Sequence, residues 1–418
     1  MTSLATSPPV PSPPALPSPA VARTRLPSEL ATILLLAALA AVGQFASNVY
    51  TPSLPAVAAD LGVGLPAAQA SFVAFLAAFA VGQLIWGPMA DRLGRRPALF
   101  AGLALFLAGT LGCALAPDLG VLIAARVVQA VGAAAGLVVS RAATRDSFEG
   151  AELARALAAV TIAFALVPGL TPLLGGLIQV GAGWRAVFWA TLAVGAGVAL
   201  WAAARLPETR DPGTAKSTGG WAAAAAAILR DPGFLGIVVS VGLVFGAMSA
   251  FFAGSPALFM TRLGVGPAEY GLYPPLAVSG FIVGGIVVRR LSGRVPPRRI
   301  AATGLAIMGA ALAAMLALPL IGVVHKHVFN ATMVLNVTGL GVFLPTAIAM
   351  ALQRFAASAG TAAALQGFVQ MSGGALGALA VGLLQPALPI LALPIVMLGA
   401  VALAALVFRV TPAPEAAR

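Results

Sequence analysis

The sequence predicts an all-α polytopic membrane protein with twelve transmembrane helices in two pseudo-symmetric six-helix bundles. The first observation is composition, because 60% of the 418 residues are hydrophobic and only 9% are charged, unlike any ordinary soluble domain. The second is spacing: about 20 apolar residues cross a bilayer as a helix, and twelve such runs follow residue 28. The third is one long polar segment, 205–233, which separates six runs from six.

The predicted helices can be placed in chain order. They occupy residues 29–50, 68–90, 98–116, 119–142, 153–180 and 184–204, then 234–260, 269–291, 299–320, 327–352, 361–384 and 388–409. Helix 1 is expected to break at Thr51-Pro52. The two bundles are therefore 29–204 and 234–409, joined by a linker at 205–233 that contains an interfacial helix near 221–229.

Both ends of the chain are expected to be tails. Residues 1–28 hold eight prolines among Ser, Ala and Thr, which predicts disorder and shows no signal-peptide pattern. Lys and Arg concentrate on the side that carries both termini, with 20 of 24 there. The positive-inside rule then places both termini, including the tail at 410–418, in the cytoplasm of a plasma (inner) membrane protein.

Several function classes have little support. The net charge of +12 is distributed topologically and has no aromatic interleaving, so no nucleic acid partner is expected. Cys113 is a lone cysteine in an apolar run, which indicates a packed core residue rather than a disulfide or reactive thiol. His325 and His327 are assigned to the outer surface, and we expect no metal and no cofactor. A membrane enzyme is a weak alternative, since no Gly-x-Ser-x-Gly and no embedded carboxylate pair is present.

A compact charged motif joins helices 2 and 3. It runs from Gly82 to Pro97 and contains Gly87, Asp91, Arg92, Gly94, Arg95 and Arg96. Arginines beside a membrane helix can simply mark its cytoplasmic end, but that explanation does not account for Asp91 or the glycine spacing. An offset of 198 positions aligns Gly82 with Gly280 and Gly87 with Gly285, which indicates an internal repeat.

Arg126 is the basic residue assigned to a helix interior, with Gln129 one turn further along predicted helix 4. A charge at such depth costs at least about 2.5 kcal/mol, so it normally faces a wet cavity. The alternative is that Arg126 snorkels to the outer interface. Helix 5 contains Pro168, Pro172, Gly175 and Gly176, a pattern that bends a helix and permits close packing, although Gly and Pro are also common in membrane helices.

These motifs resemble those of the major facilitator superfamily. The Gly82–Pro97 string resembles its loop 2–3 signature, Arg126 and Gln129 its helix 4 signature, and Pro168–Gly176 its drug/proton antiporter signature in helix 5. The end of helix 1, with Gln44, Asn48 and Tyr50, is similar to the opening of the Bcr/CflA drug-efflux family, except that Asn48 stands where the family has an acid. Similarity to that family also covers Arg145–Leu157, Gly183–Phe188, Leu206–Thr209 and Gln366–Gln370.

The resemblance implies a twelve-helix exporter with the major facilitator fold, working by alternating access and exchanging protons for drugs or other small organic substrates. It implies that Asp91 accepts N–H groups near Ser358–Thr361 and holds an inner gate shut, and that Arg95 bridges to Asp146. It also implies that helix 5 packs against helix 8. The expected partners are the substrate, protons and the lipid bilayer, and a functional monomer is expected.

The acids weaken the expectation of proton coupling. All twelve are assigned to helix ends, loops or tails, whereas a coupling carboxylate usually needs a desolvated position. A facilitator or metabolite exporter without proton coupling therefore stays as an alternative. Candidates for the lining of a substrate cavity are Tyr50 in helix 1 and, in the second half, Phe245, Met248, Phe252, Asn330, Asn336, Gln366 and Gln370. Each of these residues could instead pack or hydrogen-bond between helices.

Overall fold

The computed structural model describes residues 29–210, 220–355 and 359–412, so the predicted tail at 1–28 lies outside it. The membrane helices are α1 (Glu29–Asn48), α2 (Leu65–Leu93), α3 (Arg95–Ala114), α4 (Leu119–Ser147), a long helix Gly150–Arg205, α7 (Pro232–Pro256), α8 (Tyr273–Leu291), α9 (Pro297–Leu320), α10 (Lys326–Gln353), α11 (Ala359–Leu384) and α12 (Ala392–Val410). We call the two arms of Gly150–Arg205 α5 and α6, because the helix breaks at Gly183, where φ is +79°.

The prediction of an all-helical membrane protein is confirmed. Within the described ranges, eleven continuous helical segments are long and apolar enough to cross a bilayer. The longest contains the break at Gly183, so the segments correspond to the twelve predicted helices. A helix satisfies its own backbone hydrogen bonds, which is why apolar runs of this length adopt no other structure in lipid.

The predicted break after helix 1 is present, because α1 ends at Asn48, but the break does not end the span. The chain continues from α1 through a 3-10 turn at Thr51–Ser53 into a short helix, Leu54–Asp60. Pro52 and Pro55 are the second residues of these two helices, in the first turn, where a missing N–H costs nothing. The first span therefore reaches Asp60 at its outer end.

The charged joint between α2 and α3 is shorter than the predicted loop. Asp91 lies in the last turn of α2 and Arg95 begins α3, so Gly94 alone connects the two helices. Its φ of +103° lies in the region that favours glycine. The charged residues of the motif therefore lie in the last turn of α2 and the first turn of α3.

α4 extends five residues beyond its predicted end at residue 142, to Ser147. No Gly or Pro occurs between Gly136 and Gly150 to stop it. Arg145 and Asp146 are therefore helical, although the predicted helix 4 ends before them.

Small residues bring the helices into close contact inside each half. Gly242 and Gly246 of α7 face the backbone of Gly373 and Gly377 of α11, and a Cβ on Gly246 would lie 2.7 Å from the Gly373 carbonyl oxygen. Two glycines four apart on each helix allow this approach. The contact leaves no room for a larger side chain at these positions.

Packing supports the internal repeat. Gly82 of α2 packs on Val131 and Ala134 of α4, while its repeat partner Gly280 of α8 packs on Val334 and Thr338 of α10. The aligned glycines thus make equivalent contacts: the α2–α4 contact in the first half corresponds to the α8–α10 contact in the second.

The two halves meet through α2 against α11 and through α5 against α8. We call the end of the protein with Glu29, Leu93 and Val410 the inner end and the opposite one the outer end, following the predicted orientation. A helix at Gly220–Leu229 occupies the predicted linker, as expected, and packs against α7 and α11.

Candidate functional site

A cavity of about 100 Å³ lies between the two halves. Its wall is formed by α4 and α5 from the first half and by α7, α8, α10 and α11 from the second. Three lining residues are polar: Arg141, Thr161 and Gln370. The others are apolar: Phe164, Ala165, Leu166, Pro168, Gly169, Phe245, Met248, Phe251, Phe252, Pro274, Ala277, Val278, Phe281, Met333, Val337, Leu340, Leu344 and Ile348.

Four predicted lining residues are part of this wall. Phe245, Met248 and Phe252 share one face of α7, as their three- to four-residue spacing indicates, and Gln370 lies on α11. Gln366 is not part of the wall. Its amide nitrogen donates to the Gln370 side-chain oxygen at 2.6 Å. The two glutamines therefore form a unit of which Gln370 alone reaches the cavity.

Three other predicted lining residues are outside the wall. Tyr50 is fully buried and its hydroxyl bonds the Ser71 hydroxyl at 3.1 Å. Asn336 is also fully buried, with its amide nitrogen 3.7 Å from the sulfur atoms of Met248 and Met333. Asn330 is partly buried without contributing to the wall. Helical spacing correctly predicted that these residues are at least partly buried. It does not determine whether a buried residue faces the cavity or a neighbouring helix.

Arg141 is a lining residue that the sequence analysis missed, because it was counted with the charges at the inner membrane boundary. Its guanidinium carbon lies 5.9 Å from the ring centre of Phe164 on α5. Among the described residues it has no hydrogen-bonded partner side chain and no ion pair. Arg141 lies within the predicted helix 4, 119–142, so the sequence could place it on that helix but not at the cavity.

Arg126 is completely buried within the first half, with 0% of its surface exposed. Its guanidinium carbon is 4.2 Å from the ring centre of Phe75, 5.1 Å from that of Tyr50 and 6.0 Å from that of Phe188. A side chain that snorkelled would be exposed at the outer end, so this structure rules out the snorkelling alternative. The structure also corrects the expectation of a wet cavity, because Arg126 is enclosed by aromatic rings and does not line the cavity.

Neutral acceptors hold the Arg126 guanidinium. Nη1 donates to the Ala46 carbonyl oxygen at 3.1 Å and to Gln129 Oε1 at 2.6 Å. Gln129 in turn donates through Nε2 to the Thr110 hydroxyl at 2.9 Å. Nε and Nη2 of Arg126 find no acceptor within the described part of the chain. Arg126 is therefore a buried cation in which two of the three guanidinium nitrogens have no acceptor among the described residues.

Gln44 and Asn48 form an amide cluster on α1. Asn48 Nδ2 donates to the Gln44 carbonyl oxygen at 2.9 Å and to the Ser47 hydroxyl at 2.8 Å. Both amides are at least 96% buried, and Asn48 Oδ1 has no partner in the residues described. Neither residue lines the cavity.

The helix 5 motif makes the close contacts expected of it. Gly169 faces Val278 of α8, Gly176 faces the backbone of Pro267 just before α8, and Gly175 faces the Val49 backbone beyond α1. The predicted packing of helix 5 against helix 8 is therefore present. Pro168 lines the cavity, while Pro172 places its carbonyl oxygen 2.9 Å from where a Cβ of Gly271 would lie.

The predicted bridge between Arg95 and Asp146 is present at the inner end. Arg95 Nε donates to Asp146 Oδ2 at 2.9 Å, and its Nη1 donates to Asp91 Oδ1. The Asp91 side chain is 58% exposed, and its described ion pair is the one with Arg95. Ser358, the start of the segment that Asp91 is expected to contact, lies outside the described residues.

Glu208 completes the inner-end network in a way the sequence did not suggest. Its two carboxylate oxygens accept the backbone N–H groups of Arg95 at 2.8 Å and of Arg96 at 3.1 Å. These are unpaired donors at the start of α3, where an acid also favours the helix dipole. A Cβ on Gly94 would lie 2.7 Å from Glu208 Oε2, so the cap requires glycine there.

The remaining motif residues have simpler surroundings. Arg96 donates to the Ala203 carbonyl oxygen at 3.0 Å, and Arg210 donates to the Arg92 carbonyl oxygen at 3.1 Å. Gly87 has open space where a Cβ would lie, as does its repeat partner Gly285. The arginines thus hold the inner ends of α2, α3 and α6 together.

The second half has its own tie at the inner end, between α7 and α10. Asp231 accepts the Phe234 backbone N–H at 2.8 Å and pairs with Arg354 at 2.9 Å. Burial alone would raise the pKa of Asp231, but these donors outweigh it and lower the pKa below its ordinary value. The carboxylate therefore stays charged at neutral pH.

Two glutamines connect the halves at the outer end, and neither was a predicted site residue. Gln69 of α2 donates through Nε2 to Gln385 Oε1 at 3.0 Å and to the Ala253 carbonyl oxygen at 2.8 Å. Gln385 donates to the Gly254 carbonyl oxygen at 2.9 Å. Both side chains are at least 93% buried, so the junction itself is shielded from solvent.

Asp60 belongs to a separate outer-end tie within the first half. It accepts from Arg185 at 2.6 Å and from the Trp184 indole at 3.0 Å. Arg185 also donates to the Ala116 carbonyl oxygen at 3.1 Å. The Gly183–Phe188 motif therefore fixes the start of α6 to the helix that follows α1.

The cavity between two six-helix halves defines a membrane transport protein rather than an enzyme. The family description Major Facilitator Superfamily matches residues 34–378, and the chain belongs to this family. The structure is similar to that of a bacterial homolog of the human lysosomal transporter Spinster in an inward-facing, unoccupied conformation, with a TM-score of 0.70 and 18% identity. That likeness covers 93% of this chain and 99% of the other.

Two curated bacterial relatives narrow the comparison. The uncharacterized MFS-type transporter YdgK of Bacillus subtilis is 31% identical over 368 residues, or 85% of this chain and 89% of the relative. Multidrug resistance protein D of Escherichia coli is 38% identical over 178 residues, or 43% of this chain and 45% of the relative. The chain is thus a multi-pass transporter with drug-resistance proteins among its relatives.

Proposed function

We propose that this transporter exports small organic compounds, including drugs, across the inner membrane by alternating access of the bundles 29–204 and 234–409. The observation that carries the proposal is the cavity, whose wall comes from both halves and is built from phenylalanine, methionine and aliphatic side chains. Such a wall accepts varied amphipathic molecules because it makes few directional demands. The multidrug resistance relative supports the same substrate class.

The proposed cycle uses the two ends of the bundle as alternating gates. Gln69 and Gln385 close the outer end in this conformation. Arg95 pairs with Asp91 and Asp146 inside the first half, so Asp91 is exposed rather than engaged with the second half. We infer that substrate enters from the cytoplasm in this state, that both termini are cytoplasmic and that 205–233 is the hinge. A functional monomer suffices for this cycle, because one chain supplies both halves of the cavity.

Proton antiport is the first candidate for the driving force, by resemblance to the drug/proton antiporters. Export without proton coupling is the second candidate, and a specific observation favours it. Asn48 replaces the acid of the related drug exporters, and the cavity wall contains no carboxylate among the residues described. Substrate flux with and without an imposed pH gradient separates the two candidates.

A cavity-filling substitution tests the proposal. Ala165 lines the cavity, so Ala165→Trp should abolish export of aromatic drugs from everted membrane vesicles. Ala193→Trp is the matched control, because Ala193 is exposed on α6 and remote from the cavity wall. Equal export by wild type, both variants and vesicles without the protein would refute the proposed function.

A further inference from the structure

We propose that the cavity is an anion-selective site, which binds aromatic amphiphiles through a carboxylate or similar planar anion at Arg141. The inference rests on the proposed function for its biological setting, but it concerns which substrates the site prefers. Neither the family match nor the names of the two relatives described above specify the charge of a substrate.

Arg141 is the first reason. It lines the cavity, and the described residues give its guanidinium a ring neighbour, Phe164, but no carboxylate. A guanidinium presents several N–H donors in one plane, which matches the two oxygens of a carboxylate. An arginine at a cavity wall without a protein counter-ion therefore has its charge available to a ligand.

The second reason is that another polar group of the wall is also a donor. Gln366 donates to the Gln370 side-chain oxygen at 2.6 Å, which leaves the Gln370 amide nitrogen for another acceptor. The Thr161 hydroxyl hydrogen is already donated to the Leu157 carbonyl oxygen at 2.8 Å. The free donors of the wall thus lie on Arg141 and Gln370, and both suit an acceptor-rich ligand.

The third reason is what the wall lacks. None of the described carboxylates lines the cavity, so an organic cation would meet Arg141 without a compensating charge. The phenylalanine rings of the wall can attract a cation, but a ring carries no net charge and does not neutralise Arg141. In a low-dielectric cavity an uncompensated like charge weakens binding substantially. Neutral aromatic compounds should bind through the apolar wall alone, between anions and cations in affinity.

Three probes of the same ring and nearly the same size test the inference: 2-naphthoate, 2-naphthamide and 2-naphthylmethylammonium. Their affinities are measured by titration calorimetry with the full chain in lipid nanodiscs at neutral pH. We expect wild type to bind 2-naphthoate about tenfold more tightly than 2-naphthamide, the effect of one charge-assisted hydrogen bond. The ammonium probe should bind most weakly.

Arg141→Gln should remove the preference for 2-naphthoate and leave the affinity for 2-naphthamide unchanged, which also shows that the variant is folded. Arg141→Lys should keep part of the preference. Arg230→Gln is the matched control, because Arg230 is an exposed arginine away from the cavity. Retention of the preference in Arg141→Gln would overturn the inference.

The wild-type measurement alone also decides the matter. Failure of wild type to bind 2-naphthoate more tightly than the ammonium probe overturns the inference, whatever the variants do. The readout is independent of transport: selective binding without export from vesicles would refute the proposed function only. Export of drugs with no preference in binding would refute the anion selectivity only.

Discussion

The guanidinium carbon of Arg126 lies 4.2 Å from the ring centre of Phe75, inside a fully buried site whose described hydrogen-bond acceptors are neutral. A buried cation is tolerated when hydrogen bonds and ring faces replace its hydration. Such an arrangement is costly to form, which argues that the charge has a function beyond packing.

Arg126→Lys should reduce export by about tenfold or more at matched expression, because a compact, strongly hydrated ammonium is costlier to bury and loses the planar guanidinium that lies over the Phe75 ring. Arg126→Ala should be at least as impaired. The measurement is initial drug flux in everted vesicles, with expression checked by immunoblot. Wild-type flux in Arg126→Ala would show that the buried charge is dispensable for transport.

The Arg95–Asp146 pair at the inner end gives a second prediction. Asp146→Asn should lower export, because Arg95 loses a partner that joins α3 to α4. Asp91→Asn should also lower export, since its carboxylate is the acid expected to close the inner gate. The reversed pair Arg95→Asp with Asp146→Arg should recover part of the flux lost by either single change. No recovery in the double variant would count against a direct role of this ion pair.

Much of this fold could be predicted from the sequence because lipid restricts the alternatives. Apolar runs of span length must be helices, and hydropathy locates them. The ends were harder, since charged residues were taken to mark the membrane boundary. α4 continues to Ser147 because a helix usually ends at Gly or Pro, and a charged residue does not end it.

The site was predictable only where chemistry follows the spacing of one helix. Phe245, Met248 and Phe252 share a face of α7, and that face lines the cavity. Gln69 and Gln385 touch across 316 positions of sequence. No local pattern indicates such a contact, because it depends on how two bundles dock.

The Gln69–Gln385 junction gives a third prediction, about conformation. Their side chains meet end to end at 3.0 Å, so a direct disulfide needs backbones closer than this contact requires. The double variant Gln69→Cys with Gln385→Cys, in a Cys113→Ala background, should instead be linked by a short bifunctional thiosulfonate reagent. Linking should arrest export, and reduction should restore it.

The single-cysteine variants provide the control for the reagent, because neither can form the link. Full export by the linked double variant, with the link verified by mass spectrometry, would mean that the outer end need not open. That result would contradict the gating role assigned to this junction.

The last prediction concerns the driving force and centres on Asn48. The Asn48 side chain bonds Gln44 and Ser47, and its Oδ1 is unpartnered in the described chain. By its resemblance to the Bcr/CflA family, Asn48 occupies the position of an acid. Export by wild type should therefore depend only weakly on an imposed pH gradient. Asn48→Asp should make the dependence steeper, because a desolvated carboxylate holds its proton closer to neutral pH and can exchange it during the cycle. The measurement is initial flux against the imposed gradient at matched expression, with Asn48→Ala as the control for loss of the amide. A steep dependence in wild type that Asn48→Asp leaves unchanged would mean that protons couple through another group, and Asp60, paired with Arg185 at the outer end, would be the next residue to substitute.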